Sequence, residues 1–120
     1  MKTLDLVLKH KWFDMIASGQ KKEEYRDIRP FWTKRFIDLC SYCEKPEFVY
    51  SNPFDCLKIT GDKYIQVNFD KVRFHRGYSS QTMVYEVRNV FIGFGNSLWG
   101  AEQGKKYYVI RLGNRLSKTL

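Results

Sequence analysis

Three features of this sequence predict an α+β fold. Two stretches in its first third, residues 11–19 and 30–39, space their apolar side chains as helices do. From residue 64 onward the chain turns to alternating, β-branched and aromatic segments, which read as strands. Its 120 residues suffice for one hydrophobic core, so a single domain spanning 1–120 is expected. In a domain this small, a closed or nearly closed β-barrel is the economical way to hide strand edges, with two to three short helices packed on it.

Taken in order, Leu4-Asp5-Leu6-Val7-Leu8 alternates loosely and reads as a buried first strand. In the helix that follows, Trp12 and Ile16 are four apart, and Phe13 lies one turn before Ile16 and Ala17. Gly19 ends this helix, because glycine takes the left-handed conformation that a helix C-terminus often needs. Residues 21–26 are strongly polar yet hold no breaker, so position rather than propensity assigns them to a strand. Pro30 opens the second helix, where its missing N–H costs nothing; Phe31, Trp32, Arg35, Phe36 and Leu39 follow at helical spacing. Trp12, Phe13, Trp32 and Phe36 are assigned to the core on that spacing.

Residues 40–62 form a variable insertion, mostly loop, interrupted by Pro46 and Pro53. Residues 64–69 alternate, and Val72-Arg73-Phe74 is a short strand. Residues 82–94 are too long for a flat strand and predict a bend or bulge. A glycine-rich connection, residues 95–104, leads to a last strand at residues 107–112, and Gly77 and Gly113 mark turns.

The 21 Lys and Arg residues against 13 Asp and Glu leave a formal charge of +8, which favours a polyanionic partner. Aromatic residues make up 17% of the chain, and cations mixed with aromatics form surfaces that hold phosphates and stack bases. No apolar run approaches the length needed to span a bilayer, so no membrane partner is expected. An early acid, Asp5, and the lack of a small-residue cleavage site argue against a signal peptide, so a cytoplasmic address is expected. Three cysteines, an odd number, do not suggest a disulfide framework in such a compartment. Cys40 and Cys43 form a C-x-x-C, and Cys56 with His75 would complete a four-ligand zinc set. There is no second C-x-x-C and His75 is distant in sequence, so neither a metal nor another cofactor is assigned.

Gly19, Lys21, Glu24 and Arg26 fit the pattern G-x-K-x-x-E-x-R, placed after a strand and a short helix. Side chains alternate along a strand, so Glu24 and Arg26 share a face while a Lys21 in the same strand would point away. For the three to converge, Lys21 must precede the regular strand, on the turn leaving the helix, which Gly19 makes cheap. A lysine there, facing a carboxylate and a guanidinium, suits a phosphate or a carbonyl oxygen. Arg26 suits bidentate phosphate contact. Glu24 either accepts hydrogen bonds from a base or ribose or fixes the cations in place. Lys22 and Glu23 are read as a solvated surface pair.

The motif, with its lead-in over residues 8–18 and the tail Ile92-Gly93-Phe94-Gly95, Trp99-Gly100-Ala101-Glu102 and Tyr107-Tyr108-Val109-Ile110, resembles the ASCH domain, a member of the PUA-like barrel superfamily. The resemblance covers both ends of the chain but not residues 40–62. It implies a PUA-like β-barrel with helices packed on it and a cleft beside the motif, and it implies RNA as the partner. Some small bacterial relatives look like amidohydrolases acting on N4-acylated cytidine. In their version of the motif a threonine, the presumed nucleophile, stands where this chain has Glu24.

Three further positions are candidates for a nucleic-acid surface. Arg73 and Tyr78 flank a turn, an arginine for phosphate and a ring for stacking; the alternative is a solvated strand with Phe74 in the core. Trp99 lies in the glycine-rich loop, either as a stacking platform or as a lid over the barrel end. Glu86 is either an inward acid or the exposed side of its strand. The expectation is therefore a nucleic-acid-binding domain, for RNA above all, using Lys21, Glu24, Arg26, Arg73, Tyr78 and Trp99. The alternative is a small amidohydrolase for a modified nucleoside, with Lys21 and Glu24 managing protons. A ligand-free interaction module is the third reading.

Overall fold

The computed structural model describes residues 2–36, 65 and 67–119. Cys40, Cys43 and Cys56, Leu39 and the insertion at 40–62 lie outside these residues. The elements run β1 (Lys2–Leu8), α1 (His10–Ala17), β2 (Glu23–Asp27), α2 (Pro30–Phe36), β3 (Phe69–Arg76), β4 (Thr82–Phe94), a single 3₁₀ turn (Ser97–Trp99) and β5 (Lys106–Thr119). The described residues are thus α+β, with two helices and one five-stranded sheet in the order β1-β3-β4-β5-β2. β1 and β3 are parallel; β3–β4, β4–β5 and β5–β2 are antiparallel.

The sheet curls into a half-barrel. Its terminal strands, β1 and β2, come close enough for the Arg26 guanidinium to donate to the Val7 carbonyl at 3.4 Å. Part of the curl originates in the long strand. The β4–β5 register slips at Val84/Tyr85, Tyr85/Val87 and Val87/Asn89, as the length of residues 82–94 predicts, and such irregularities sharpen local twist. One expectation is corrected here. Gly113 is not a turn, because β5 continues through it to Thr119. It lies across from the irregular stretch of β4, where a Cβ would come within 3.3 Å of the Glu86 Cβ. β3 is also longer than the short strand at residues 72–74, running from Phe69 to Arg76; Tyr64 and Gln66 of the alternating stretch before it lie outside the described residues.

The concave face carries the main core. Leu6 and Leu8 of β1, Phe74 of β3, Met83 of β4 and Tyr108 and Ile110 of β5 pack against Phe13 and Ile16 of α1 and Phe36 of α2. Two buried polar contacts tie the helices down: the Tyr85 hydroxyl donates to the Ile16 carbonyl at 3.0 Å, and the hydroxyls of Thr33 and Tyr108 share a hydrogen bond. Trp12 and Trp32 depart from the core assignment and are only half-buried, packed at its edge. On the opposite face a smaller cluster joins Tyr25, Tyr107, Val109 and Ala101. It exists because the 95–104 loop crosses closely over β2, and a Cβ on Gly95 would lie 2.8 Å from the Tyr25 ring. Among the described residues no helix is long and apolar enough to cross a membrane.

Candidate functional site

The turn between α1 and β2 determines where Lys21 goes. The helix ends at Ala17, Gly19 adopts φ +84°, and the Lys21 amide closes back onto the Met15 carbonyl at 3.0 Å. Lys21 therefore precedes β2, which starts at Glu23. In β2, Glu24 stands opposite Ile110 and Arg26 opposite Tyr108. Both partners are fully buried on the concave face, so the carboxylate and the guanidinium point inward at the edge facing β1.

The three groups meet there. The Lys21 ammonium donates to Glu24 Oε1 at 2.6 Å and to the Glu23 carbonyl at 2.8 Å. The Tyr25 and Trp12 rings lie 5.1 and 5.6 Å from it, within cation–π range. Glu24 Oε1 also accepts from the Tyr25 amide at 3.2 Å, and Oε2 accepts from Arg26 Nη1 at 2.8 Å. Arg26 Nη1 donates further to the Tyr25 carbonyl at 2.9 Å, and its guanidinium lies 5.2 Å over the Trp32 ring.

Exposure separates the roles of the three. The side chains of Lys21, Glu24 and Arg26 are 0%, 6% and 17% exposed. Lys21 is sealed, so its ammonium meets no ligand directly in this conformation. Glu24 accepts from three donors, Lys21, Tyr25 and Arg26. It holds the two cations together, the second of the two roles its sequence position allowed. The three charges sum to +1, and Arg26 is the member that presents this excess to the surface.

Two hollows open along the β1–β2 seam, and both have Val7, Tyr25 and Arg26 in their walls. The smaller, about 240 Å³, adds Trp12, Trp99 and Glu24. The larger, about 490 Å³, adds Phe31, Trp32, Asp5 and Asp27. All 3 tryptophans of the chain thus stand around the motif. Trp99 was legible as a candidate; Trp12 and Trp32 were not. The one available signal is general: tryptophan is seldom fully buried, so a helical tryptophan at a core edge commonly shows one side to solvent.

The remaining candidates fall elsewhere. Arg73 points from β3 to Asp5 at 3.2 Å, and the same carboxylate takes His75 Nε2 at 2.8 Å. Arg73 thus touches the larger hollow only through Asp5. Tyr78 sits fully exposed beyond the end of β3 and is not in the wall of either hollow. Glu86 is exposed and pairs in register with Lys71. Lys22 is exposed, as expected of a surface cation. Among the described residues no group of three or more His, Cys, Asp or Glu side chains is placed to hold a metal ion.

Burial holds the Lys21 ammonium below its ordinary 10.5; the Glu24 carboxylate opposes this and the Arg26 charge adds to it. Between the lowered value and 10.5 the unfolded chain binds a proton that the fold does not, so the contribution of Lys21 to stability rises with pH across that window. The stability difference between the wild-type protein and Lys21→Met is therefore expected to move in favour of wild type as pH climbs towards 10.5, in urea melts at successive pH values. A pH-independent difference would mean that the ammonium titrates as it does in the unfolded chain. The Tyr108 hydroxyl, pushed up to about 12 by burial, titrates in both proteins and cancels.

Comparison with protein-family models, with curated proteins and with solved structures gives no match for this chain.

Proposed function

We propose that this chain is an RNA-binding module of the ASCH type, a PUA-like half-barrel that takes single-stranded RNA along the β1–β2 seam. One observation carries the reading. A net-positive network is fixed in the seam with Arg26 as its most exposed member, between two hollows whose walls include the three tryptophans. Guanidinium groups suit phosphate oxygens, and aromatic walls in a concave groove suit unstacked bases rather than a duplex. The formal charge of +8 adds the long-range attraction that such a partner requires.

The amidohydrolase reading has less support. It needs Lys21 at a substrate carbonyl, and that ammonium has no exposed surface. It also needs a hydroxyl nucleophile where Glu24 stands.

RNA binding driven by phosphate contacts weakens with salt, the logarithm of the constant falling by about 0.7 per phosphate neutralised for each tenfold rise in salt. Single-stranded RNA is expected to bind at low salt with such a slope, measured by tryptophan fluorescence. Failure to bind at low salt contradicts the proposal.

A further inference from the structure

Building on the RNA-binding reading, we propose that the seam seats two consecutive nucleotides, their shared phosphate on Arg26 and one base in each hollow. The two hollows are distinct, yet they share the Arg26 guanidinium as a common wall. Arg26 spends Nη1 on Glu24 and the Tyr25 carbonyl and makes only a long contact from Nη2 to Val7. Among the described residues the rest of its fork has no hydrogen-bond partner, which leaves it to meet an oxyanion. A phosphate there has a base-sized recess on either side.

Each recess has an aromatic side chain of its own that is not part of the main core. Trp99 borders the smaller one, on the 3₁₀ turn. Phe31 borders the larger one and is half exposed at the start of α2, with Arg35 stacked 3.7 Å over its ring. The larger hollow also holds two carboxylates, which alone would repel a phosphate. Both are already paired with cations: Asp5 with Arg73 at 3.2 Å, and Asp27 with Arg29 at 2.7 Å and Lys105 at 3.0 Å. Their remaining acceptor sites suit base N–H groups rather than a phosphate backbone. A single nucleotide would leave one recess empty, whereas the spacing of hollow, guanidinium and hollow repeats the order base, phosphate, base.

A length series tests this: adenosine, the dinucleoside monophosphate ApA, and oligoadenylates of three and six residues, titrated at low salt with tryptophan fluorescence as readout. Affinity is expected to rise most from adenosine to ApA and then to level off, with a salt slope for ApA of about −0.7, that of one phosphate. Trp99→Ala and Phe31→Ala are each expected to weaken ApA by about 5- to 150-fold, the range for one stacked base. Both side chains are peripheral, and a thermal melt of each variant checks that the fold persists. Affinity that climbs steadily to six residues, or adenosine binding as tightly as ApA, overturns the two-nucleotide seat while leaving RNA binding in place. A six-residue strand that does not bind at all overturns the RNA reading itself.

Discussion

Replacing Glu24 by leucine is expected to cost about 3–5 kcal/mol of folding stability, the range for removing one partner from a buried ion pair. The large effect follows from what is left behind. The Lys21 side chain has no exposed surface, so its ammonium cannot turn to water when the carboxylate is lost. Two of the three donors aimed at Glu24 come from cations, Lys21 at 2.6 Å and Arg26 at 2.8 Å, and their mutual repulsion would then be uncompensated. The double variant Lys21→Met, Glu24→Leu is expected to regain most of the loss, because an apolar pair of similar volume removes the stranded charge. Arg26 keeps some contact with solvent and tolerates the change. Urea midpoints at unchanged slope measure both effects. A single-variant loss below about 1 kcal/mol, the level of an exposed pair, would mean that Lys21 reaches water after all.

Arg26→Ala is expected to remove about 1.5–3 kcal/mol of RNA affinity, roughly 10- to 150-fold, the range for a hydrogen bond to a charged group. Its effect on folding is expected to be smaller than that of Glu24→Leu. Without Arg26, Glu24 still holds Lys21 and the Tyr25 amide, so no charge is stranded. Lys22→Ala removes the same formal charge from an exposed position four residues away in sequence. It is expected to change affinity less than fivefold, an effect that added salt erases. Equal losses from the two substitutions would point to diffuse attraction by the whole basic surface rather than to a seat at the seam.

Much of this geometry was legible in the residues. Strand alternation fixes Glu24 and Arg26 on one face, and convergence then requires Lys21 to sit ahead of the strand on a turn that Gly19 allows. The structure has that turn, with Gly19 at φ +84° and β2 beginning at Glu23. Hidden was the depth of each group. Alternation tells which face a side chain takes, not whether a neighbouring strand end closes over it. Here Lys21 is enclosed among Glu24 and the Trp12 and Tyr25 rings, while Arg26 is left at the rim, where it reaches Val7 of β1.

The tryptophans show the same limit for helices. Helical spacing identifies the inward face of α1 and α2, but Trp12 and Trp32 lie at the margin of that face, where sequence does not separate core from pocket wall. Gly113 misled for another reason. A glycine in a strand serves either a turn or a close approach, and its role here depends on Glu86, 27 positions earlier and across an irregular ladder.

The most direct test is the set of three tryptophan indole N–H signals in a ¹⁵N-labelled sample, followed as single-stranded RNA is added at low salt. With binding at the seam, the indoles of Trp12, Trp32 and Trp99 are expected to shift together with the Arg26 Nε–H, while the amide of Tyr78 stays in place. Shifts confined to the Tyr78 turn or to the outer basic side chains of β5, with all three indoles unmoved, would contradict the seam as the binding site.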